Sequence, residues 1–302
     1  MNQPELTVVI PTYNRVDTLV HVIPSLLRQD VRADRYEIVV ADSLSTDGTA
    51  AYLAETAKEY PRLRHLPGPY DGRAMARNAG IDAARGKIVL FTDADIIAAT
   101  DLISRHLERH RTRERIAVVG KELQISALAE HERLRAHPRE ARPLHPDSRR
   151  RLSWLYFLTG NASVRKSDLE RLRGFDEDFT GYGHEDLELG YRLQQAGVSI
   201  LYEPRAVNYH WHPVPYDEQK QKMELAGRST VRFYRKHPSF VVKVRLGMTR
   251  LSLAAYALLR RLPKAVGSLD RSGAAGAGFA RNVVYQYHYL RGITEALRGE
   301  RV

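Results

Sequence analysis

Apolar residues follow two alternating rhythms along the first 120 positions. Short, nearly unbroken runs read as strands covered on both faces: Leu6-Thr7-Val8-Val9-Ile10, Ile38-Val39-Val40-Ala41 and Ile88-Val89-Leu90-Phe91. Between them the apolar spacing is helical. Leu19, Val22, Ile23, Leu26 and Leu27 share one face over 17–28, with Pro24 as an expected kink. Further helices are predicted over 49–60 and 72–84, and a shorter strand over 62–66. Strand and helix taking turns in this way predict an α/β fold with a doubly wound, mostly parallel sheet. The polar turns that end the first, second and fourth strands then meet at one edge, where such sheets bind ligands.

Beyond residue 120 the rhythm loosens. A helix over 101–111, capped by Thr100, and a strand over 116–123 are expected. Residues 130–151 are dense in Arg, His and Pro and read as a loop or an inserted helix. Ser167 and Glu170 have capping-box spacing. Gly181-Tyr182-Gly183-His184-Glu185-Asp186 is a glycine-bracketed acidic turn that opens a helix closed by Gly197. A strand over 199–202 and the run Asn208-Tyr209-His210-Trp211-His212 follow.

Charge changes this picture only at one end. The 302 residues carry a net charge of +11, and all of the excess lies in 231–302, with 14 Lys and Arg against 3 Asp and Glu. A basic stretch there, 241–262, has helical spacing, and a second segment, 283–297, is rich in tyrosine (Tyr285, Tyr287 and Tyr289). Basic amphipathic helices with interfacial aromatics suit an anionic membrane surface. The competing reading is a helix pair packed on the rest of the chain or on a second subunit in a homodimer; nothing else favours nucleic acid. The absence of cysteine removes disulfides and thiolate metal sites and fits a reducing compartment. Residues 1–5 have neither a basic nor an apolar leader region, so no signal peptide is expected. No uncharged apolar run approaches the ~20 residues of a membrane span.

Candidate chemistry centres on Asp93-Ala94-Asp95, directly after the third long strand. Two acids two residues apart point the same way in extended chain. At the carboxyl end of a buried strand they suit a hard cation carrying phosphate. A plainer reading has one acid capping a helix and the other solvated. Asp42 ends the second strand in the same manner.

Several further motifs occur in order. They are Val9-Ile10-Pro11-Thr12-Tyr13-Asn14-Arg15, Ser45-Thr46-Asp47-Gly48-Thr49, Ala76-Arg77-Asn78-Ala79-Gly80, Asp93-Ala94-Asp95, Gly174-Phe175-Asp176, Glu185-Asp186 and Tyr209-His210. Over residues 5–215 the chain resembles a family 2 glycosyltransferase, whose GT-A fold is Rossmann-like. Its second half is similar to chondroitin-polymerase-like and galactosyltransferase-like members. The resemblance implies a catalytic domain over 1–215, with a nucleotide-binding half (1–120) and an acceptor-binding half (121–215). Residues 216–302 form a basic helical C-terminal region.

The implied reaction moves a sugar from a nucleotide-diphosphate donor to a hydroxyl of a carbohydrate or lipid-linked acceptor, with inversion, in cell-surface glycan or polysaccharide synthesis. It needs Mn²⁺ or Mg²⁺. By resemblance Asp95 and His210 are metal ligands, with His212 as the alternative histidine. Asp93 would meet the ribose or the metal, and Ala94 would line the nucleotide. Pro11, Thr12, Tyr13, Asn14, Arg15, Asp42 and Arg77 would serve the nucleotide: Tyr13 against the base, Asp42 on its N–H edge, Arg77 on phosphate or orienting an Asp. Asp186 would be the base, and Glu185 and His184 would meet the acceptor. The expected place is the cytoplasm, at the inner face of the membrane. One departure matters. The family usually has Asp-Asp-Gly-Ser where this chain has Asp42-Ser43-Leu44-Ser45, so UDP is favoured while GDP and dTDP stay open. The alternatives are a nucleotidyltransferase, which would want a Gly-rich basic loop after the first strand, and an inactive nucleotide-sugar-binding scaffold.

Overall fold

A computed structural model describes residues 3–136, 151–211, 214–276 and 278–299. The chain divides into two compact units, Met1–Thr180 with Glu185–Pro213, and Gly181–His184 with Val214–Val302.

The first unit is built on one eight-stranded sheet in the order β3-β2-β1-β4-β7-β6-β8-β5. Strands β1 (Leu6–Thr12), β2 (Tyr36–Asp42) and β4 (Ile88–Phe91) are buried at every residue, as their apolar runs require. They run parallel, with β3 (Leu63–Pro67) beyond β2. Leu6, Val8, Ile10, Ile38, Val40 and Leu90 pack with Leu19, Val22, Ile23 and Leu26 of α1 (Val16–Leu27), which runs through Pro24 without ending there. α2 (Thr49–Glu59) and α3 (Arg73–Ala83) are the helices expected from the spacing.

The sheet is mixed beyond β4. β7 (Ala162–Arg165) is antiparallel to both β4 and β6 (Ile116–Ile125). β6 runs parallel to β8 (Ser199–Trp211), and β5 (Ile96–Ala98) is antiparallel to β8. β7 is a strand that hydrophobic spacing did not reveal. α4 (Leu102–Thr112) starts after Asp101, which makes no capping bond with its side chain, so Thr100 is not the cap. Asp101 instead accepts from Arg105 Nε at 3.0 Å. The Ser167–Glu170 box is also absent: α6 (Lys166–Arg171) begins at Lys166 with no side-chain cap. α5 (Leu128–Ala136) covers the start of the polar stretch read as a loop or inserted helix; 137–150 lie outside the described residues, as does His212. α7 (Glu185–Gln195) leads into β8.

In the second unit, α8 (Tyr216–Lys236) and α12 (Gly278–Arg298) run in the same direction, with Tyr216 near Tyr285 and Arg228 on Glu295. They cross where both are glycine. A Cβ on Gly227 would lie 2.1 Å from Tyr289 O, and one on Gly292 2.0 Å from Glu224 O. Val231, Met248 and Ile293 form the core. The stretch expected as one helix over 241–262 is two, α9 (Phe240–Arg245) and α10 (Arg250–Leu259), because Gly247 takes a left-handed φ of 68° between them. α11 (Pro263–Ala274) leads on to α12.

Candidate active site

The ends of β1 and β2 are knitted together by the Ser-Thr-Asp-Gly-Thr motif. Asn14 N donates to Ser45 Oγ at 2.8 Å, and Thr46 N donates back to Asn14 Oδ1 at 2.8 Å. Asp47 accepts from Val16 N (3.0 Å) at the start of α1 and from Thr49 N (3.0 Å) at the start of α2. Pro11 and Thr12 lie buried within β1 and end the strand rather than forming a loop, and Arg15 N reaches Thr49 Oγ1 at 3.2 Å. Asp42 is wholly buried. Its Oδ1 accepts from Ser45 Oγ at 2.5 Å, and its Oδ2 sits 3.1 Å from His65 Nε2. Asp42 therefore holds this turn together besides any part it plays toward a ligand. Leu44 occupies the position where the family usually has glycine, and it keeps the left-handed backbone, φ 58°. Leu44 and Tyr13 are both exposed, at 55% and 59%.

The second group of residues hangs on α3. Gly80 lets that helix lie directly on β1, since a Cβ there would stand 2.3 Å from Val9 Cγ1. Asn78, two positions earlier, clasps the Gly-Phe-Asp turn by donating to Phe175 O (2.9 Å) and accepting from Phe175 N (2.8 Å). Gly174 is needed there, because its φ is +63° and a Cβ would meet Asn78 Oδ1 at 2.3 Å. The clasp sets the Phe175 ring under the Arg77 guanidinium, 5.6 Å from its centre, and edge-on to Phe91 at 5.2 Å. Arg77 is buried and bridges two acids: Nη2 donates to Asp93 Oδ1 at 2.8 Å and Nη1 to Glu185 Oε1 at 2.9 Å. Burial, the largest single influence, would raise the Asp93 carboxyl, but the charges of Arg77 and Arg73 and the Arg77 hydrogen bond together hold it below the usual range. Glu185 Oε2 is buried with no hydrogen-bond partner among the described residues.

Asp186 follows Glu185 in the first turn of α7. Burial pushes its carboxyl up to about 7, and the Glu185 charge adds to the rise against the pull of Arg77. Arg192, one face along α7, takes Glu188 (2.7 Å) and donates to Leu172 O (2.6 Å) and Gly174 O (2.8 Å), which fixes the helix to the clasped turn. His184 belongs to the second unit. It has a left-handed φ of 76°, its Nε2 lies 2.6 Å from Thr230 Oγ1, and its ring meets Phe233 edge-on.

A third group joins the other end of the sheet. The register of β5 with β8 pairs Ile96 with His210, so Trp211 N donates to Asp95 O at 2.9 Å. His210 Nε2 lies 3.5 Å from Asp95 Oδ1 and its Nδ1 lies 3.1 Å from Glu122 Oε1. Burial would lower the imidazole, but hydrogen bonds to Asp95 and Glu122 win and hold it up at about 10. Glu122 was missing from the sequence-based candidates. The signal for it was faint: it is the one acid in the ten-residue strand β6. Among the described residues, no three His, Cys, Asp or Glu side chains converge as a preformed cage. The donor set still suits a hard or borderline divalent ion. Asp95 offers oxygen and His210 nitrogen, with a carboxylate behind the imidazole as metal-bound histidines commonly have.

The structure thus brings Arg77, Asp93, Glu185 and Asp186 together around α3, β4 and α7, and Asp95 with His210 beside them. The family model described as glycosyl transferase family 2 matches residues 7–173, and that of the N-terminal domain of galactosyltransferase matches 144–211. The validoxylamine A glucosyltransferase of Streptomyces hygroscopicus subsp. jinggangensis is 30% identical over 267 residues, covering 79% of this chain and 62% of that protein. The chondroitin synthase of Escherichia coli is 26% identical over 76% of this chain and 39% of its own length. The chain therefore spans less than two thirds of these relatives. Among solved structures, the mannosyltransferase PcManGT of Pyrobaculum calidifontis in complex with GDP-Man and Mn²⁺ superposes with a TM-score of 0.66 at 22% identity, covering 99% of this chain and 88% of that one. S. aureus TarS 1-349 in complex with UDP-GlcNAc gives 0.56 at 17% identity, over 98% and 92%. With the GT-A sheet, the ordered motifs and the family match over more than half its length, the chain belongs to glycosyl transferase family 2.

Proposed function

We propose that this protein is a metal-dependent, inverting glycosyltransferase that moves a sugar from a UDP-sugar to a hydroxyl of a carbohydrate or lipid-linked acceptor. The observation that carries the reading is the Asp186 carboxyl, raised to about 7 beside the Arg77–Asp93–Glu185 ion cluster. A base poised near neutral pH suits removal of a proton from an attacking hydroxyl. Asp186 takes that proton as the acceptor oxygen bonds to the anomeric carbon. The bond from that carbon to the diphosphate breaks, and the diphosphate departs with the electron pair. One in-line displacement inverts the centre.

Glu185 Oε2, buried and with no hydrogen-bond partner among the described residues, accepts a second acceptor hydroxyl. His184, which Thr230 holds within its own unit, is assigned to the acceptor on the family resemblance alone. Arg77 orients Asp93 toward the donor's ribose, with Ala94 next to it. Tyr13 and Leu44 present exposed apolar surface for the base, while Pro11, Thr12, Asn14, Arg15 and Asp42 shape the loops that hold it. Asp95 and His210 would hold Mn²⁺ or Mg²⁺, which when bound neutralises charge on the departing diphosphate. The C-terminal region, 231–302, meets an anionic membrane surface where a lipid-linked acceptor would lie.

Thermal shift against UDP, GDP, dTDP and CMP, each with Mn²⁺ or with EDTA, tests the donor end. UDP should stabilise only with metal, and Asp95→Ala should remove that shift. Asp186→Asn should keep the shift and lose about 10²–10⁴-fold in transfer rate. Full transfer by both variants would overturn the reading.

A further inference from the structure

α10 is an amphipathic helix turned inside out. Its inner face packs by Leu253, beside the Val231–Met248–Ile293 core, and by Tyr256, whose ring lies 5.2 Å from Tyr287 of α12. Its outer face is Leu251, Ala254, Ala255 and Leu258, continued by Leu262, all exposed and without one polar side chain. Leu251 is 81% exposed and Leu258 62%. An ordinary surface helix carries its charges on that face. Here the charges sit at the ends instead: Arg250 at the start, Arg260 and Arg261 at the finish. On α9 and at the start of α12, Phe240 and Phe279 are equally exposed.

We propose that α10 lies flat on an anionic lipid bilayer, its Leu251–Leu258 stripe entering the acyl boundary and its terminal arginines reaching headgroup phosphates. This deepens the membrane part of the proposed function and rests on it, but it is independent of the transfer chemistry. The charge pattern selects the occupant. No acid occurs between His237 and Leu269, whereas Lys243, Arg245, Arg250, Arg260, Arg261 and Lys264 all do. A second copy docked through the same face would set arginines against arginines with no acid to relieve them. A bilayer offers apolar depth and negative charge together. α10 has 10 residues, and no described helix is long and apolar enough to cross a membrane, so the helix rests on the surface.

Flotation of the full protein with vesicles decides the matter, using phosphatidylcholine alone and a 7:3 mixture with phosphatidylglycerol, without donor or acceptor. Wild type should float only with the anionic vesicles and release with added salt. Leu251→Asp/Leu258→Asp and Arg260→Glu/Arg261→Glu should each lower the partition constant at least tenfold with unchanged melting temperatures, since all four side chains are exposed. Failure of wild type to float would overturn the membrane reading itself. Wild-type flotation that the double-leucine variant retains would overturn the role of α10 alone. A dimer in sedimentation that this variant breaks, with no flotation by wild type, would assign the stripe to self-association instead.

Discussion

The two units break the ordinary inside–outside rule in opposite directions. The sheet unit buries charge: Arg77, Glu185, Glu188 and Glu122 sit where apolar groups are usual. The helical unit exposes oil: Leu251, Leu258, Phe240 and Phe279 face water. Both departures oppose stability, for different reasons. A buried charge is costly unless paired, while an exposed leucine merely forgoes a gain. Charge inside a cleft points to chemistry on a ligand, and apolar surface framed by cations points to an extended partner.

Removing a charge partner should produce the largest effect. Arg77→Met leaves Asp93 and Glu185 facing each other without a cation and should cost about 3–5 kcal/mol in urea unfolding. A loss below about 1 kcal/mol would mean that the cluster is solvated and the contrast between units false. Next comes acid sensitivity confined to the sheet unit. His106 and His110 are buried on Ser163, and burial pushes their imidazoles down to about 4 and about 3. The unfolded chain takes up these protons below pH 6.5 while the folded one does not, so stability falls as pH drops from 6.5 toward 4. The loss should be on the order of 2–4 kcal/mol by pH 5, and His106→Gln should flatten the curve.

The helical unit should be sensitive to shape instead. Gly227→Ala must push α8 away from the Tyr289 backbone and should cost about 1–3 kcal/mol, visible in its melting curve at any pH. Asp186→Asn should do the reverse of damage. The carboxylate is disfavoured in the fold above its ordinary pKa, so the amide should stabilise by about 1–2 kcal/mol at pH 8, with the gain fading as pH falls from 7 to 4. Equal stability at both pH values would remove the case for a raised base. The smallest effect belongs to Leu251→Ser, expected within about 0.5 kcal/mol in water because the side chain touches little.

Much of the sheet was legible in the chain. β1, β2 and β4 show as apolar runs because both their faces are covered, and the spacing of Asp93 and Asp95 marks the end of the last one. β7 was not legible. It has four residues, Ala-Ser-Val-Arg, and is held by strands on either side rather than by its own propensity. Glu122 escaped notice because its partner, His210, is 88 positions away and only the β6–β8 register brings them together. Asn78 appeared in a motif, yet its work of clasping Phe175 depends on a turn almost a hundred residues later. The outward stripe of α10 misleads for a different reason. Helical periodicity identifies an apolar face and, in soluble proteins, that face is assumed to turn inward. No sequence pattern states which neighbour is there to cover it.

The clasp between Asn78 and the Phe175 turn has a consequence for the order of events during synthesis. Asn78 reaches the Phe175 turn across a separation of 97 positions, and Arg77 its Glu185 partner across 108. Local helices and the β1–β2 pair can form while the chain is still emerging, but the acid cluster must wait until residue 185 is available. In the interval Arg77 and Asp93 remain wetted, and the edge of β4 stays open until Ala162–Arg165 emerge to pair with it. Truncation short of Ala162, where β7 begins, or ribosomal pausing before it, should therefore leave a nascent sheet with an uncovered strand edge. Such a species calls for chaperones or aggregates, and it is recognisable as a burst of protease-sensitive intermediate in refolding.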